Sequence, residues 1–284
     1  MADRDCGAHL PAHRPGGGAL SRRRAPERLP GLVDSHVHLQ HSRFDGDREA
    51  VIARAEAAGL VRLLVPGWDL ASSEAALELA ARHPGIIQAA VGIHPHDAEG
   101  MNEAGWAQLE AMTADPTTHA VGEIGLDYFR NLSPPEAQRA AFQRQLAMAA
   151  ARNLPVLVHD RDAHDDVTAA LLAWSGGPTQ KARGVMHAFS GDAAMAGVLA
   201  AAGFLISFAL PVAFGSAAGP RAAAAALEDG QFLVETDAPY LGPDRDRRNE
   251  PTTVLRVAAE LARLRAVTPE HIAGSVSRAY ARLS

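Results

Sequence analysis

The chain has 284 residues, 47% of them hydrophobic, and a formal charge of −6 at pH 7. That length is ordinary for a single α/β barrel and is enough to bury a substantial core. The negative balance excludes a protein that coats nucleic acid by overall charge, the lack of any apolar run near 18 residues excludes a membrane-spanning helix, and a single cysteine, Cys6, excludes an internal disulfide framework.

Residues 1–30 differ from the rest. They are rich in Gly, Pro and Arg, with Gly16-Gly17-Gly18 and Arg22-Arg23-Arg24. Such a composition reads as a disordered N-terminal extension, or as a basic arm that touches phosphate. It holds no apolar core of the kind a secretory signal needs, and a cytoplasmic protein is expected. Residues 31–284 read as one domain. Lys181 is the only lysine. We read that, and alanine runs such as Ala222 to Ala226, as base composition.

From Gly31 onward, short β-rich runs alternate with helical spacing. The runs are Leu32–His38, Val61–Pro66, Ile86–Ile93, Ala120–Leu126, Val156–His159, Gly184–His187, Phe204–Phe208 and Phe232–Thr236. Between them, Asp47–Ala58, Ser72–Arg82, Pro135–Arg152, Asp162–Trp174 and Asp192–Ala202 have helical spacing. Pro251–Leu264 and Pro269–Arg282 close the chain as helices with Pro near the first turn. Strands alternating with helices predict a parallel sheet. The glycine fingerprint of a doubly wound nucleotide fold is missing after the first strand. The expected fold is therefore an α/β (β/α)8 TIM barrel, whose site lies where strands end.

Polar residues collect at those ends. His36 and His38 stand at i and i+2 of an extended segment and so share a face. Strand three runs into His94 and His96, and strand four carries Glu123, Asp127 and Tyr128. Strand five ends in His159 and is followed by Arg161, strand six ends in His187, and strand eight carries Glu235 and Asp237. A lone buried histidine is more often a satisfied core residue than a ligand. Burying this many ionisable groups at one end of a barrel is costly, however, unless metal ions compensate.

Five blocks, Asp34-Ser35-His36-Val37-His38-Leu39, Gly92-Ile93-His94-Pro95-His96, Gly122-Glu123-Ile124-Gly125-Leu126-Asp127-Tyr128, His187-Ala188-Phe189-Ser190-Gly191 and Glu235-Thr236-Asp237-Ala238-Pro239-Tyr240, resemble the signature blocks of the TatD family, metal-dependent DNases of the amidohydrolase superfamily. The resemblance covers about residues 31–284 and implies a barrel with a binuclear metal centre. Position by position, His36 and His38 would bind one metal and Asp237 would complete that site. Glu123 would bridge both metals, and His159 and His187 would bind the second. The chain departs from the family in having Ala188 where Cys often follows the sixth-strand histidine. Its last segment, Ser277 to Ser284, also lacks the family's Asn and terminal aromatic residue. Neither change touches a ligand.

Four imidazoles and two carboxylates suit Zn or Mn, with Mg as a working alternative. A hydroxide held between two such metals is a nucleophile at neutral pH. Asp237 is the natural group to take its proton, with Glu123 as the second catalytic carboxylate. Arg161, if the strand continues that far, brings a guanidinium to phosphate. Arg248 and Asn249, in a segment that also resembles a family block, are further substrate contacts or caps of the following helix. His94 acts on a ligand or on substrate, Asp127 orients a ligand or binds substrate, and Tyr128 stacks on a base or packs.

The leading expectation is a deoxyribonuclease acting exonucleolytically on single-stranded DNA ends. The alternative is carbonyl chemistry such as D-aminoacyl-tRNA deacylation, which would make tRNA a partner. A metal-stabilised scaffold would have been favoured by a lost ligand, and none is lost. No membrane and no obligate protein partner are expected.

Overall fold

Eight parallel strands, each hydrogen-bonded to the next in chain order, make the inner layer of the molecule. They are β1 (Leu32–Asp34), β2 (Leu60–Pro66), β3 (Ile87–Val91), β4 (Thr118–Asp127), β5 (Val156–Arg161), β6 (Gly184–Met186), β7 (Phe204–Phe208) and β8 (Phe232–Val234). The computed structural model describes residues 25–177, 181–244 and 247–283. The seam between β8 and β1 is closed just beyond the strands. Ser35 N–H donates to Val234 O at 3.1 Å, Asp237 N–H to His36 O at 2.9 Å and His38 N–H to Ala238 O at 2.7 Å. The expected (β/α)8 barrel is the fold that forms.

The outer layer consists of α1 (Arg48–Ala57), α2 (Leu70–Arg82), α3 (Glu103–Thr113), α4 (Pro135–Arg152), α5 (His164–Ala173), α6 (Ala193–Ala201), α7 (Ala218–Ala226), α8 (Val254–Arg265) and α9 (Pro269–Tyr280). Parallel strands buried on both faces read as near-continuous apolar runs. Here Val156, Leu157 and Val158 of β5 and all five residues of β7 are buried.

Three features correct the sequence reading. Helices α3 and α7 were not anticipated. The spacing of α3 is set by Trp106, Leu109 and Thr113, and Asn102 caps its start by accepting from Gly105 N–H. The alanine run taken as base composition is the body of α7, with Ala223 and Ala224 fully buried. Small side chains let that helix lie close to its neighbours, so the run has a packing role. The expected extension over residues 1–30 lies mostly outside the described residues, as does Cys6. Leu29 nevertheless belongs to the core: it is buried, and its N–H donates to Ala58 O at 2.8 Å. Among the described residues no helix is long and apolar enough to cross a membrane.

Strand β1 ends at Asp34 rather than running to His38. The Asp34 carboxylate accepts from His36 N–H at 3.3 Å and from Thr236 N–H at 2.9 Å, taking over ladder positions. The Thr236 hydroxyl adds a third bond at 2.5 Å. Burial pushes the Asp34 carboxyl well above the ordinary range, against the pull of these donors. The chain bends at Ser35, Val37 makes an isolated parallel bridge to Ala238, and the Nε2 atoms of His36 and His38 still lie 3.2 Å apart.

Candidate metal centre

His36, His38, Glu123, His159, His187 and Asp237 converge at the C-terminal ends of the strands, and all six are buried. Glu123 lies between two groups of imidazoles. Its Oε2 is 3.3 Å from His36 Nε2 and 3.8 Å from His38 Nε2. Its Oε1 is 2.9 Å from His159 Nδ1, 2.9 Å from His187 Nε2 and 3.5 Å from His94 Nε2. Asp237 joins the first group through Oδ1, 3.4 Å from His38 Nε2 and 3.8 Å from His36 Nε2.

Backbone placement explains the convergence. Glu123 comes from the middle of β4, where that strand presses against β5. A Cβ on Gly122 would come within 2.5 Å of Leu157 Cβ. Gly125 has φ +141°, and a Cβ there would lie 2.0 Å from His159 O. Only glycine permits that approach, and it brings Glu123 beside His159. Asp237 sits at φ 53°, in the left-handed region that Asp tolerates better than most residues. Helix α4 supplies two wholly buried glutamines one heptad apart. Gln138 brackets the end of β4, accepting from Asp127 N–H at 2.8 Å and donating to Asp127 O at 3.1 Å. Gln145 brackets the end of β3, accepting from Ile93 N–H at 2.7 Å and donating to Ile93 O at 3.0 Å.

A second row of groups stands behind the imidazoles. His159 Nε2 is 3.3 Å from Asp127 Oδ2, which is also 2.8 Å from His96 Nε2. His187 Nδ1 is 3.3 Å from Glu235 Oε1, within ion-pair reach but bent away from hydrogen-bond geometry. Glu235 also accepts from Ala188 N–H at 2.5 Å. His38 Nδ1 faces Pro66 O at 3.3 Å. Carboxylates and carbonyls behind imidazoles fix tautomer and orientation, as they do around metals.

The charges fit a cation. Burial alone would raise the Glu123 carboxyl, but His187, His94 and His36 around it and the hydrogen bond from His159 outweigh burial and hold it well below the carboxylate range. Burial alone would lower His187, yet Glu123 and Glu235 raise it well above an ordinary imidazole. For His159, too, Asp127 and Glu123 overcome burial and raise it. Burial lowers His36 and, more strongly, His94. The site is thus an anionic carboxylate that draws positive charge onto His159 and His187. His94 Nε2 is buried with no hydrogen-bond partner. Three sets of donors could each grip a single ion: His36, His38 and Asp237; His94, Glu123 and His159; and His36, Glu123 and His187, which spans the two groups. The 3.2 Å between His36 and His38 Nε2 is close to the ~3.3 Å edge of a tetrahedron built on bonds of about 2.0–2.1 Å. The donor set fits a divalent metal.

The remaining residues named from sequence fall in several places. Asp127 stands behind His159, and His94 lies in the buried cluster beside Glu123. Arg161 is the last residue of β5 and lines the cavity above the cluster. The Tyr128 hydroxyl donates to Asp166 Oδ2 at 2.6 Å and accepts from Arg139 at 3.0 Å, away from that cavity. Arg248 forms a two-pronged ion pair with Asp47 at 2.6 and 2.8 Å and a third contact with Glu250 at 3.0 Å. Asn249 is buried and donates to Thr236 O at 3.0 Å and Tyr240 O at 2.7 Å. Arg248 and Asn249 therefore hold the loop after β8; the structure does not bring them to the cluster.

A cavity of about 1090 Å³ opens over the cluster, lined by His38, Glu123, His159, His187 and Asp237 at one end and by Phe129, Arg161 and residues of α5 and α6 further out. Glu235, Phe129, Gln138 and Gln145 take part in or around the site without having been assigned a role from the sequence. Two glutamines spaced seven apart on an otherwise apolar helix face were a legible signal for the last pair.

The family model for TatD related DNase matches residues 33–284. The chain belongs to the TatD family. It is 37% identical over 254 residues to the uncharacterized metal-dependent hydrolase YabD of Bacillus subtilis (strain 168), covering 89% of this chain and 98% of that one. It is 37% identical over 241 residues to the 3′-5′ ssDNA/RNA exonuclease TatD of Edwardsiella piscicida, covering 82% of this chain and 92% of the relative. Among solved structures, the TatD homolog YJJV from Escherichia coli superposes with a TM-score of 0.83 at 30% identity, over 89% of this chain and 97% of that one. This TatD-family chain is a nuclease-type hydrolase of ester bonds, and its buried donor groups are of a kind that could hold a divalent metal.

Proposed function

We propose that the protein holds two divalent metal ions and removes nucleotides from the 3′ ends of single-stranded DNA and RNA. The observation that carries this reading is the position of Glu123. Its two carboxylate oxygens face two separate donor groups, and it lies on the floor of a cavity open to solvent.

His36, His38 and Asp237 would hold one ion, His159 and His187 the other, and Glu123 both. Bound there, the ions supply Lewis acidity, lowering the pKa of water and neutralising charge on phosphate oxygens. The protein's own groups do the rest. Glu123 remains anionic because its neighbours stabilise the charge. Asp127 hydrogen-bonds the ring of His159, and Glu235 sets a negative charge 3.3 Å from the ring of His187. Asp237, at the cavity wall with Oδ1 toward His38, would accept a proton from the attacking water. Arg161 brings a fixed positive charge to the same cavity, where phosphate must approach. A site sunk among strand ends admits a strand end more readily than an intact duplex, whose bases cannot reach it.

The test is an activity panel on purified protein with Mg, Mn and Zn. It compares labelled single-stranded DNA, duplex DNA, RNA and D-aminoacyl-tRNA. Single strands should shorten from their 3′ ends, and Asp237→Ala should abolish cleavage with an unchanged circular dichroism spectrum. Full activity in that variant, or deacylation of the tRNA with no strand cleavage, would overturn the reading.

A further inference from the structure

Six large apolar side chains are exposed among the described residues, and three of them, Phe129, Leu172 and Val198, line the one cavity that opens over Glu123 and Asp237. Single exposed apolar residues need no explanation. Phe129, just beyond the end of β4, stands at the strand-end side that carries the site, whereas Leu172 and Val198 lie further along α5 and α6.

Phe129 is the key member. It follows Tyr128, whose hydroxyl is committed to Asp166 and Arg139. Phe129 has no polar atom to commit and leaves 47% of its surface open. The Arg161 guanidinium lies 4.4 Å from its ring centroid. The two residues are set side by side by the sheet, since Asp127 of β4 pairs with Arg161 of β5. An aromatic ring backed by a guanidinium is a surface on which flat π-systems stack.

Charge decides what comes to rest there. Asp162, Asp165 and Asp192 line the same cavity. Their carboxylates repel a phosphate chain, whereas an uncharged ring with N–H groups at its edge suits them. Phosphate is drawn instead to the cluster and to Arg161. We propose that Phe129, backed by Arg161, is the platform on which the base of the end nucleotide stacks while its phosphate lies over Glu123 and Asp237. The inference rests on the nuclease reading above and adds a specificity to it. The platform detects the presence of a base and not its identity, because every base offers a π-face. It serves DNA and RNA alike.

The experiment uses two 5′-labelled single strands of one sequence, one with a normal 3′ nucleotide and one whose 3′-terminal sugar carries no base. Release of the end residue is measured as kcat/KM for the wild type, Phe129→Ala and Phe129→Trp. The wild type should favour the base-bearing end by about tenfold, toward the lower end of what stacking contributes. In Phe129→Ala that ratio should fall below about twofold, and Phe129→Trp should restore it. Because the readout is a ratio within each protein, a general loss of activity or fold does not imitate the effect. Phe129→Ala keeping the wild-type ratio, or Phe129→Trp losing it, would overturn the platform. A wild type that releases both ends equally removes the platform and leaves the nuclease reading standing. A wild type that releases neither end removes both.

Discussion

His159 and His187 each turn one ring nitrogen to Glu123 and the other toward a second carboxylate, Asp127 or Glu235, at 3.3 Å. His36 and His38 have no such backing. His38 Nδ1 meets only the carbonyl of Pro66, and His36 Nδ1 is buried without a partner. The first half of the centre uses its extra carboxylate, Asp237, as a donor at the front, whereas the second half keeps its extra carboxylates behind the rings. The halves therefore owe their geometry to different things. The second is aligned by charged side chains rooted in β4 and at the end of β8. The first is aligned by backbone at the β8–β1 seam, where Asp34 binds Thr236 and the peptides of residues 35–38 and 234–238 interlock. Glu123 has oxygens within 4 Å of imidazoles in both, and the His36 and His187 rings stack across the two with centroids 3.9 Å apart.

Removing Glu123 tests the comparison at its common point and has the largest expected effect. Glu123→Ala should lower metal content in both halves together, read by elemental analysis, and should cut kcat by about 10³-fold or more, beyond the loss of a single oxyanion donor. Two equivalents of metal retained in that variant would show that the halves do not share it.

Asp127→Asn and Glu235→Gln should separate the halves. Each keeps the shape of its side chain and removes the charge behind one imidazole of the second half. Such outer groups contribute about 10- to 100-fold in metal affinity. A metal titration should become biphasic, with the weaker step displaced and the tighter one unmoved. A uniform loss across both steps would mean that Glu123 couples the halves so tightly that they do not bind independently.

The same asymmetry governed how much of the site was legible in the sequence. The convergence of His36, His38, His159 and His187 could be read because the order of the strands fixes which strand ends meet at the barrel mouth, even though His36 and His38 lie just beyond β1. The fold was legible for the same reason. Helix α7 was not, because a run of alanines has no apolar periodicity to display. Residues acting across the sheet were also hidden. Glu235 lies two positions from Asp237, and nothing local says that its carboxylate comes within 3.3 Å of His187, just beyond β6. Arg248 and Asn249 were read toward substrate because an arginine near a site looks like a phosphate contact. Only the packed structure shows its guanidinium spent on Asp47 and Glu250.

That loop offers the smallest and most selective probe of the first half. Asn249 ties the residues around Asp237 to the barrel, and Arg248 anchors Asn249's segment to α1 through Asp47. The hydrogen bond from Arg248 is the main cause that holds the Asp47 carboxyl down to about 2, below its usual 3.8. A depressed carboxyl contributes stability that is complete above its unfolded pKa and disappears as pH falls through the folded value. Arg248→Ala should therefore melt below the wild type by no more than about 2 °C, as expected of a solvent-exposed pair. The difference should stay constant from neutral pH to about 4 and close as the pH falls toward 2. Because the latch acts on the loop that carries Asp237, the variant should weaken the first metal-binding step and spare the step that Asp127 and Glu235 support. Equal weakening of both would show that the β8–β1 seam, and not the loop beyond it, positions Asp237.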